Sequence, residues 1–398
     1  QPISSDFVTK RIKQLKPKKA IGLDKVSTLL LKDAAEIVAP SITSLFNISI
    51  QTGTYPSTWK LAKVTPLFKK GSRQDPSNYR PISVLPTISK VLEKAIHAQF
   101  YTYLNDNSLL SSKQFGFRLK SSTVIAAANF TDKILSAMDS GMVTGAVFID
   151  LTKAFDTINH SILLSKLICL GVPANSVTYK WFESYLSNRC QVTVCNNAQS
   201  DKDTLLTGVP QGSILGPLLF TIYINDLPEH LKHCDVTLFA DDTFLYVSSK
   251  SIHSIQSAFN SDLDFLNRWL MLNQLSLNIS KSKFIIIGSS QRLSKLDSIS
   301  ETVNDKQIDE VNFFTYLGVV INKQLTWQDH IEYISSKINK KIGLLKRIRA
   351  SLPLEARLFF INHILPIFDY ADIWGDRGNK TLMSHLQILH NKAARVIL

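Results

Sequence analysis

Two adjacent carboxylates in the middle of an apolar run constrain this chain more than any other feature. Asp241 and Asp242 interrupt a stretch that reads Val236-Thr237-Leu238-Phe239-Ala240 before them and Thr243-Phe244-Leu245-Tyr246-Val247 after them. Each flank is long enough for a strand and too short for a helix, so the run predicts a short hairpin that carries the acids at its turn. Like charges this close repel, and burial raises their pKa unless a cation lies beside them. Asp-Asp is also ordinary turn chemistry, because Asp bonds to nearby backbone and tolerates tight conformations. What separates the two readings is whether another acid converges on the same place.

Such an acid lies upstream. Gly145-Ala146-Val147-Phe148-Ile149 reads as a buried strand that ends in Asp150, and a carboxylate at the end of a core strand is costly to desolvate unless it is ligated or hydrogen-bonded. Asp150 would alternatively cap a helix spanning residues 156–170, but Asp156 is better placed for that task. Three carboxylates offer hard oxygen ligands, which suit Mg²⁺, an ion that keeps several waters and binds substrate phosphates rather than being caged by protein. Two such ions clamp the attacking and leaving oxygens of an in-line phosphoryl displacement.

The segments around these acids occur in a telling order: Asn78-Tyr79-Arg80-Pro81-Ile82-Ser83, Gln114-Phe115-Gly116-Phe117-Arg118, Phe148-Ile149-Asp150 with Ala154-Phe155-Asp156, Gly208-Val209-Pro210-Gln211-Gly212-Ser213, Phe239-Ala240-Asp241-Asp242 and Tyr316-Leu317-Gly318. In order and spacing they resemble the reverse transcriptase domain of non-LTR, LINE-like retrotransposons, closest to the jockey-like branch, from about Lys19 to the end of the chain. The resemblance implies an α+β right-hand polymerase fold. Fingers with an N-terminal extension would occupy 1–145, an α/β palm with an antiparallel sheet and a primer-grip hairpin 146–320, and a helical thumb 321–398. The implied activity is RNA-directed DNA synthesis by two-metal phosphoryl transfer, with RNA template, DNA primer and deoxynucleoside triphosphates as partners and two Mg²⁺ ions, or Mn²⁺ in their place, as cofactors.

Carried over position by position, the resemblance makes Asp150, Asp241 and Asp242 the metal ligands. Lys281 matches a proton donor to pyrophosphate, with Lys283 two residues on as the alternative register. Phe155 matches the aromatic gate against a ribose 2′-hydroxyl, although it would otherwise pass for a core aromatic. Gln211 and Gly212 match the lining of the nucleotide pocket, where Gly admits close backbone approach and Gln bonds without fixing a sequence. Lys69 and Arg80 match triphosphate-binding cations, and Arg118 with Lys120 template or nucleotide contacts; a solvated basic loop is the plainer reading of Lys69-Lys70. Tyr316, Leu317 and Gly318 match the primer grip.

Composition agrees. A formal charge of +13 and a sequence pI near 9.4 favour a polyanionic partner. No apolar run approaches a membrane span and no signal peptide is evident, so an intracellular ribonucleoprotein of nucleus and cytoplasm is expected. Cys169, Cys190, Cys195 and Cys234 lack paired CxxC spacing and read as reduced thiols. Ile88, Val91, Leu92, Ala95 and Ile96 predict a helix over 87–104, and the polar stretch 289–310 a surface loop before a hairpin over 313–321. Trp327, Ile331, Ile334, Ile338, Ile342, Leu345 and Ile348 form one apolar stripe, flanked by Lys337, Lys340 and Lys341, which as a thumb helix would lie along a nucleic-acid backbone; Leu382, Leu386, Leu389 and Ala393 predict a last helix. The chain starts at Gln1 rather than Met and shows neither an endonuclease nor a zinc knuckle, so a fragment or truncated copy is expected. An inert RNA-binding remnant, and an RNA polymerase or intron maturase sharing the same palm, are the rival readings; the intact acids, Phe155 and Tyr316-Leu317-Gly318 favour an active DNA polymerase.

Overall fold

Leu61–Phe68 pairs antiparallel with Tyr79–Val84, and its first half, Leu61 to Val64, pairs parallel with Cys190 to Thr193 of strand Arg189–Cys195. The second pairing stops before Pro66, which has no N–H to give to a ladder. Prolines and lysines mask the alternation here, so the sequence alone shows no strand pattern. In the computed structural model residues 1–397 are described except 197, 297–300, 304–305 and 373–379. They divide into two compact units, each discontinuous in sequence.

The first unit comprises Gln1–Phe117, Leu151–Pro228 and Trp269–Ser276. Around the mixed sheet just described it holds helices Ser5–Lys13, Ala35–Thr52, Thr87–Asp106, His160–Cys169, Val177–Leu186 and Leu215–Tyr223. Helix Thr87–Asp106 matches the 87–104 expectation and buries Val91, Leu92 and Ala95 along one stripe. The helix expected over 156–170 begins later, at His160, since Asn159 caps it by accepting from the Ile162 N–H at 3.0 Å. Asp156 is therefore not its cap, and its carboxylate has a different partner.

The second unit comprises Arg118–Asp150, Glu229–Arg268 and Leu277–Leu398. Its sheet runs, edge to edge, Glu301–Val303, Lys306–Glu310, Lys283–Ile287, Val143–Ile149, Asp242–Ser249 and Asp235–Phe239. The central pairings are antiparallel, while Lys306–Glu310 joins Lys283–Ile287 in parallel. All seven residues of Val143–Ile149 are buried, which matches its unbroken apolar reading. The stretch 289–310 is not simply a surface loop: it contains helix Ser290–Leu293 and two of these strands, and the near-complete burial of Ile308 among polar neighbours docks it on the sheet. Its residues 297–300 and 304–305 lie outside the described ones.

Strands Phe313–Tyr316 and Val319–Asn322 form the expected hairpin. Leu317 and Gly318, at φ +47° and +86°, are its two-residue turn, the type I′ geometry whose twist suits a hairpin. Helix Gln328–Ile348 buries Ile331, Ile334, Ile338, Ile342 and Leu345, and helix Lys380–Ile397 buries Leu386, Leu389 and Ala393. Both stripes join one core with Phe130, Phe148, Phe244, Tyr316, Val319 and Ile321. Among the described residues no helix is long and apolar enough to cross a membrane. The linear division at 145 and 320 does not coincide with the two compact units.

Candidate active site

In the second unit, the hairpin Asp235–Phe239 and Asp242–Ser249 turns through Ala240 and Asp241. Ala240 has φ +55°, the first-position geometry of a type II′ turn that glycine normally fills, so the backbone is strained where the acids begin. Val143–Ile149 pairs with the second strand so that Ile149 faces Thr243; one step further in the same register puts Asp150 opposite Asp242, on one face of the sheet. Both carboxylates line a small cavity of about 80 Å³ with Lys281, Phe314, Thr315, Tyr316 and Leu317. Asp241 is exposed at the tip and does not line this cavity.

The backbone of Asp150 is fixed from the turn that carries Lys281. The Asn278 N–H donates to the Asp150 carbonyl at 2.8 Å, and the Asp150 N–H donates to the hydroxyl of fully buried Ser282 at 3.3 Å. That hydroxyl donates onward to the Asn278 carbonyl at 2.9 Å. Lys281 Nζ then lies 3.7 Å from Asp150 Oδ2. Lys283, the alternative register, is tied to Asp309 at 2.7 Å and to the Ser280 carbonyl at 3.0 Å. The structure thus brings Lys281, not Lys283, to Asp150. Among the described residues no three His, Cys, Asp or Glu side chains converge closely enough to cage an ion by themselves. Asp150 at a strand end, Asp241 in the turn and Asp242 at the start of the next strand carry hard carboxylate oxygens, the donor type that divalent cations such as Mg²⁺ take alongside water and phosphate.

In the first unit, Phe155 is half-buried, stacked on Phe220 with ring centroids 4.7 Å apart and edge-on to Phe117 at 6.4 Å. The Gly208–Gly212 loop is laced to the same segment. Val209 N–H donates to the Phe155 carbonyl at 2.9 Å, Gly208 N–H to the Ile158 carbonyl at 2.8 Å, and Gln211 Nε2 to Asp156 Oδ1 at 3.0 Å. A Cβ on Gly212, at φ +131°, would sit 2.4 Å from the Ser83 carbonyl oxygen, so only glycine fits there. Ser83 N–H donates to the Gln211 carbonyl at 2.8 Å and secures the loop from the other side. Arg80 faces Leu67 across the strand pair, and Lys69 N–H bonds to the Asn78 carbonyl at 2.8 Å, so alternation puts both cations on one face of that hairpin. Both are exposed.

Other expected residues are placed less directly. Tyr316 is buried in the core of the second unit, where burial and then the Asp242 charge raise its hydroxyl pKa, so its ring supports the site rather than meeting a ligand. Leu317 is half-buried and its carbonyl accepts from the Tyr370 hydroxyl at the turn it shares with Gly318. Lys337 and Lys340 are exposed; Lys337 lies 4.0 Å above the Tyr333 ring, and Lys341 donates to the His363 carbonyl at 2.9 Å. Arg118 is half-buried and Lys120 exposed in the second unit.

Sequence reasoning missed three residues. Ser282 locks Asp150, and Asp156 holds Gln211. Glu93, wholly buried with its pKa raised by that burial, accepts from the N–H groups of Ile214 and Leu215 at 2.6 and 3.3 Å. It anchors the start of helix Leu215–Tyr223, just past the Gly208–Gly212 loop, as a helix N-terminus favours. An acid inside an amphipathic helix gives no local sign of such a partner.

Residues 68–321 match the family model described as reverse transcriptase (RNA-dependent DNA polymerase). The chain belongs to the reverse transcriptase family. This reverse transcriptase chain is 29% identical, over its whole length, to a probable RNA-directed DNA polymerase from transposon BS of Drosophila melanogaster, and covers 45% of that protein. It is 30% identical over 95% of its length to the probable RNA-directed DNA polymerase from transposon X-element of the same species, covering 42% of it. To the RNA-directed DNA polymerase from mobile element jockey it is 26% identical over 99% of its length, covering 44%. The reverse transcriptase chain therefore spans less than half the length of these relatives.

Proposed function

We propose that the chain extends a DNA 3′-hydroxyl along an RNA template, as the polymerase part of a jockey-like non-LTR retrotransposon protein. The observation that carries this reading is Asp150 facing Asp242 across the central strands with Lys281 at 3.7 Å from Asp150, in a chain whose matched region contains all three. Asp150, Asp241 and Asp242 would hold Mg²⁺, or Mn²⁺ in its place. When bound, the metal neutralises and aligns phosphate oxygens for in-line displacement. Lys281 holds a proton at Nζ beside Asp150 and gives it to the departing pyrophosphate.

Lys69 and Arg80 bind the triphosphate, Arg through a planar fork and Lys as a point charge. Phe155 excludes a ribose 2′-hydroxyl, and Gln211 and Gly212 line the pocket; Arg118 and Lys120 contact template or nucleotide. Tyr316, Leu317 and Gly318 form the primer-grip hairpin, and Lys337, Lys340 and Lys341 follow the duplex backbone. In functional terms 1–145 serves as fingers, 146–320 as palm and 321–398 as thumb of a right-hand polymerase. The charge of +13 supports an RNA template and a DNA primer as partners, within a ribonucleoprotein of nucleus and cytoplasm.

Primer extension on an RNA template, with deoxy- and ribonucleotides compared in Mg²⁺, tests this. Extension with deoxynucleotides, lost in Asp150→Asn and Asp241→Asn without a lower melting temperature, is the expected result. Preference for ribonucleotides would make the chain an RNA polymerase. Template binding with no extension under any nucleotide would make it an inert binding module.

A further inference from the structure

Asp156 stands next to Phe155 in the first unit, and the activity described so far gives it no task of its own. Its side chain is half-buried, and burial raises its pKa. Its backbone is clamped: the Thr207 hydroxyl donates to its carbonyl at 3.0 Å, and a Cβ on Gly208 would come within 2.8 Å of its Cα. Its carboxylate receives Nε2 of Gln211 at 3.0 Å. An ionised carboxylate has only acceptors, so the amide must turn its NH₂ toward Asp156 and Oε1 away.

The Gln211 backbone is already held through its carbonyl by Ser83. What remains free is the side chain, whose amide could otherwise offer either a donor or an acceptor to a ligand, at an entropic cost on being fixed. With Asp156 in place, the amide offers an acceptor, Oε1, and one remaining N–H.

We infer that Asp156 is the positioning residue for Gln211. It presents Oε1 of the amide to a hydrogen-bond donor on the incoming nucleotide. This rests on the reading of Gln211 as a nucleotide contact.

The test is a double-mutant cycle on nucleotide KM and kcat, with primer annealed to an RNA template and melting temperatures recorded for every variant. Gln211→Ala is expected to raise KM about tenfold, the equivalent of one good hydrogen bond. Asp156→Ala should raise KM by about fivefold while kcat stays within about twofold, since the acids that carry the chemistry are intact. Asp156→Asn keeps an acceptor oxygen and should cost only about twofold. In the Gln211→Ala background, Asp156→Ala should add nothing further. A full-sized effect of Asp156→Ala in that background would overturn the inference, because Asp156 would then act without Gln211. A loss confined to kcat, with a lowered melting temperature that Asp156→Asn fails to restore, would also overturn it and make Asp156 a structural prop. If Gln211→Ala alone leaves KM unchanged, the nucleotide-pocket reading of Gln211 is what fails, and the inference falls with it.

Discussion

Replacing Phe155 by Val separates two tasks that one ring could perform. The ring stacks on Phe220 and meets Phe117 edge-on, so truncation removes packing. A fully buried Phe costs about 3 to 5 kcal/mol when truncated to Ala; half-buried Phe155, cut only to Val, should cost about 1 to 2 kcal/mol. The backbone should stay in place, because the Val209 N–H bond to the Phe155 carbonyl does not involve the ring. If the exposed part of the ring is what a 2′-hydroxyl would strike, removing it relieves a clash of about 3 kcal/mol, which is roughly a hundredfold in discrimination. The assay is kcat/KM for one deoxy- and one ribonucleotide on the same RNA template, for wild type and variant, beside thermal melts. A selective gain for the ribonucleotide, with a small drop in melting temperature, supports the gate. Parallel losses for both nucleotides, with a large drop in stability, would refute it and leave Phe155 as a core aromatic.

Three further outcomes are expected. His330 accepts the Val320 N–H at 3.2 Å through Nδ1, and burial, aided by the Lys337 charge, lowers its pKa to about 4. Because the folded form binds the proton less readily than the unfolded chain, up to about 3 kcal/mol of stability present above pH 6.5 should be lost as pH falls toward 4, and a flat acid limb in urea melts would contradict this. Lys337→Gln with Lys340→Gln and Lys341→Gln should flatten the salt dependence of duplex binding by about two units rather than three, since Lys341 is partly committed to His363; an unchanged slope would put that face in solvent. Gly212→Ala should cost about 1 to 3 kcal/mol, because φ +131° and the Ser83 carbonyl both exclude a Cβ, and a variant that melts like wild type would show that the loop yields easily.

The period of the apolar residues made the central acids readable in advance. The alternation around Asp241 and Asp242, the run ending at Asp150 and the stripe from Ile331 to Leu345 each have a pattern that only one element satisfies. Legibility failed where a residue's environment is made by distant chain. Leu61–Phe68 shows no strand pattern in the sequence because Lys63 and Pro66 break its alternation, yet two partner strands hold it. Lys306–Glu310 carries one buried apolar residue, Ile308, and depends on pairing with Lys283–Ile287 for its form. Asn159 won the cap expected of Asp156 because the loop around Gly208 claims the residues between them. The motif-derived residues Lys69, Arg80, Gln211 and Gly212 came from resemblance, since nothing in their spacing marks them.

The discontinuity of the two compact units bears on how such a gene can decay and still matter. The polypeptide passes from one unit to the other at five places, after Phe117, Asp150, Pro228, Arg268 and Ser276. A deletion that removes everything before residue 151 takes the Val143–Ile149 strand from one sheet and the Leu61–Phe68 hairpin from the other, so both units lose a central strand together. No single cut in the gene releases either unit whole, and a copy shortened from either end within these boundaries loses parts of both rather than shedding a module. Partial inheritance of this polypeptide should therefore yield chains that aggregate or are degraded, instead of half-functional competitors.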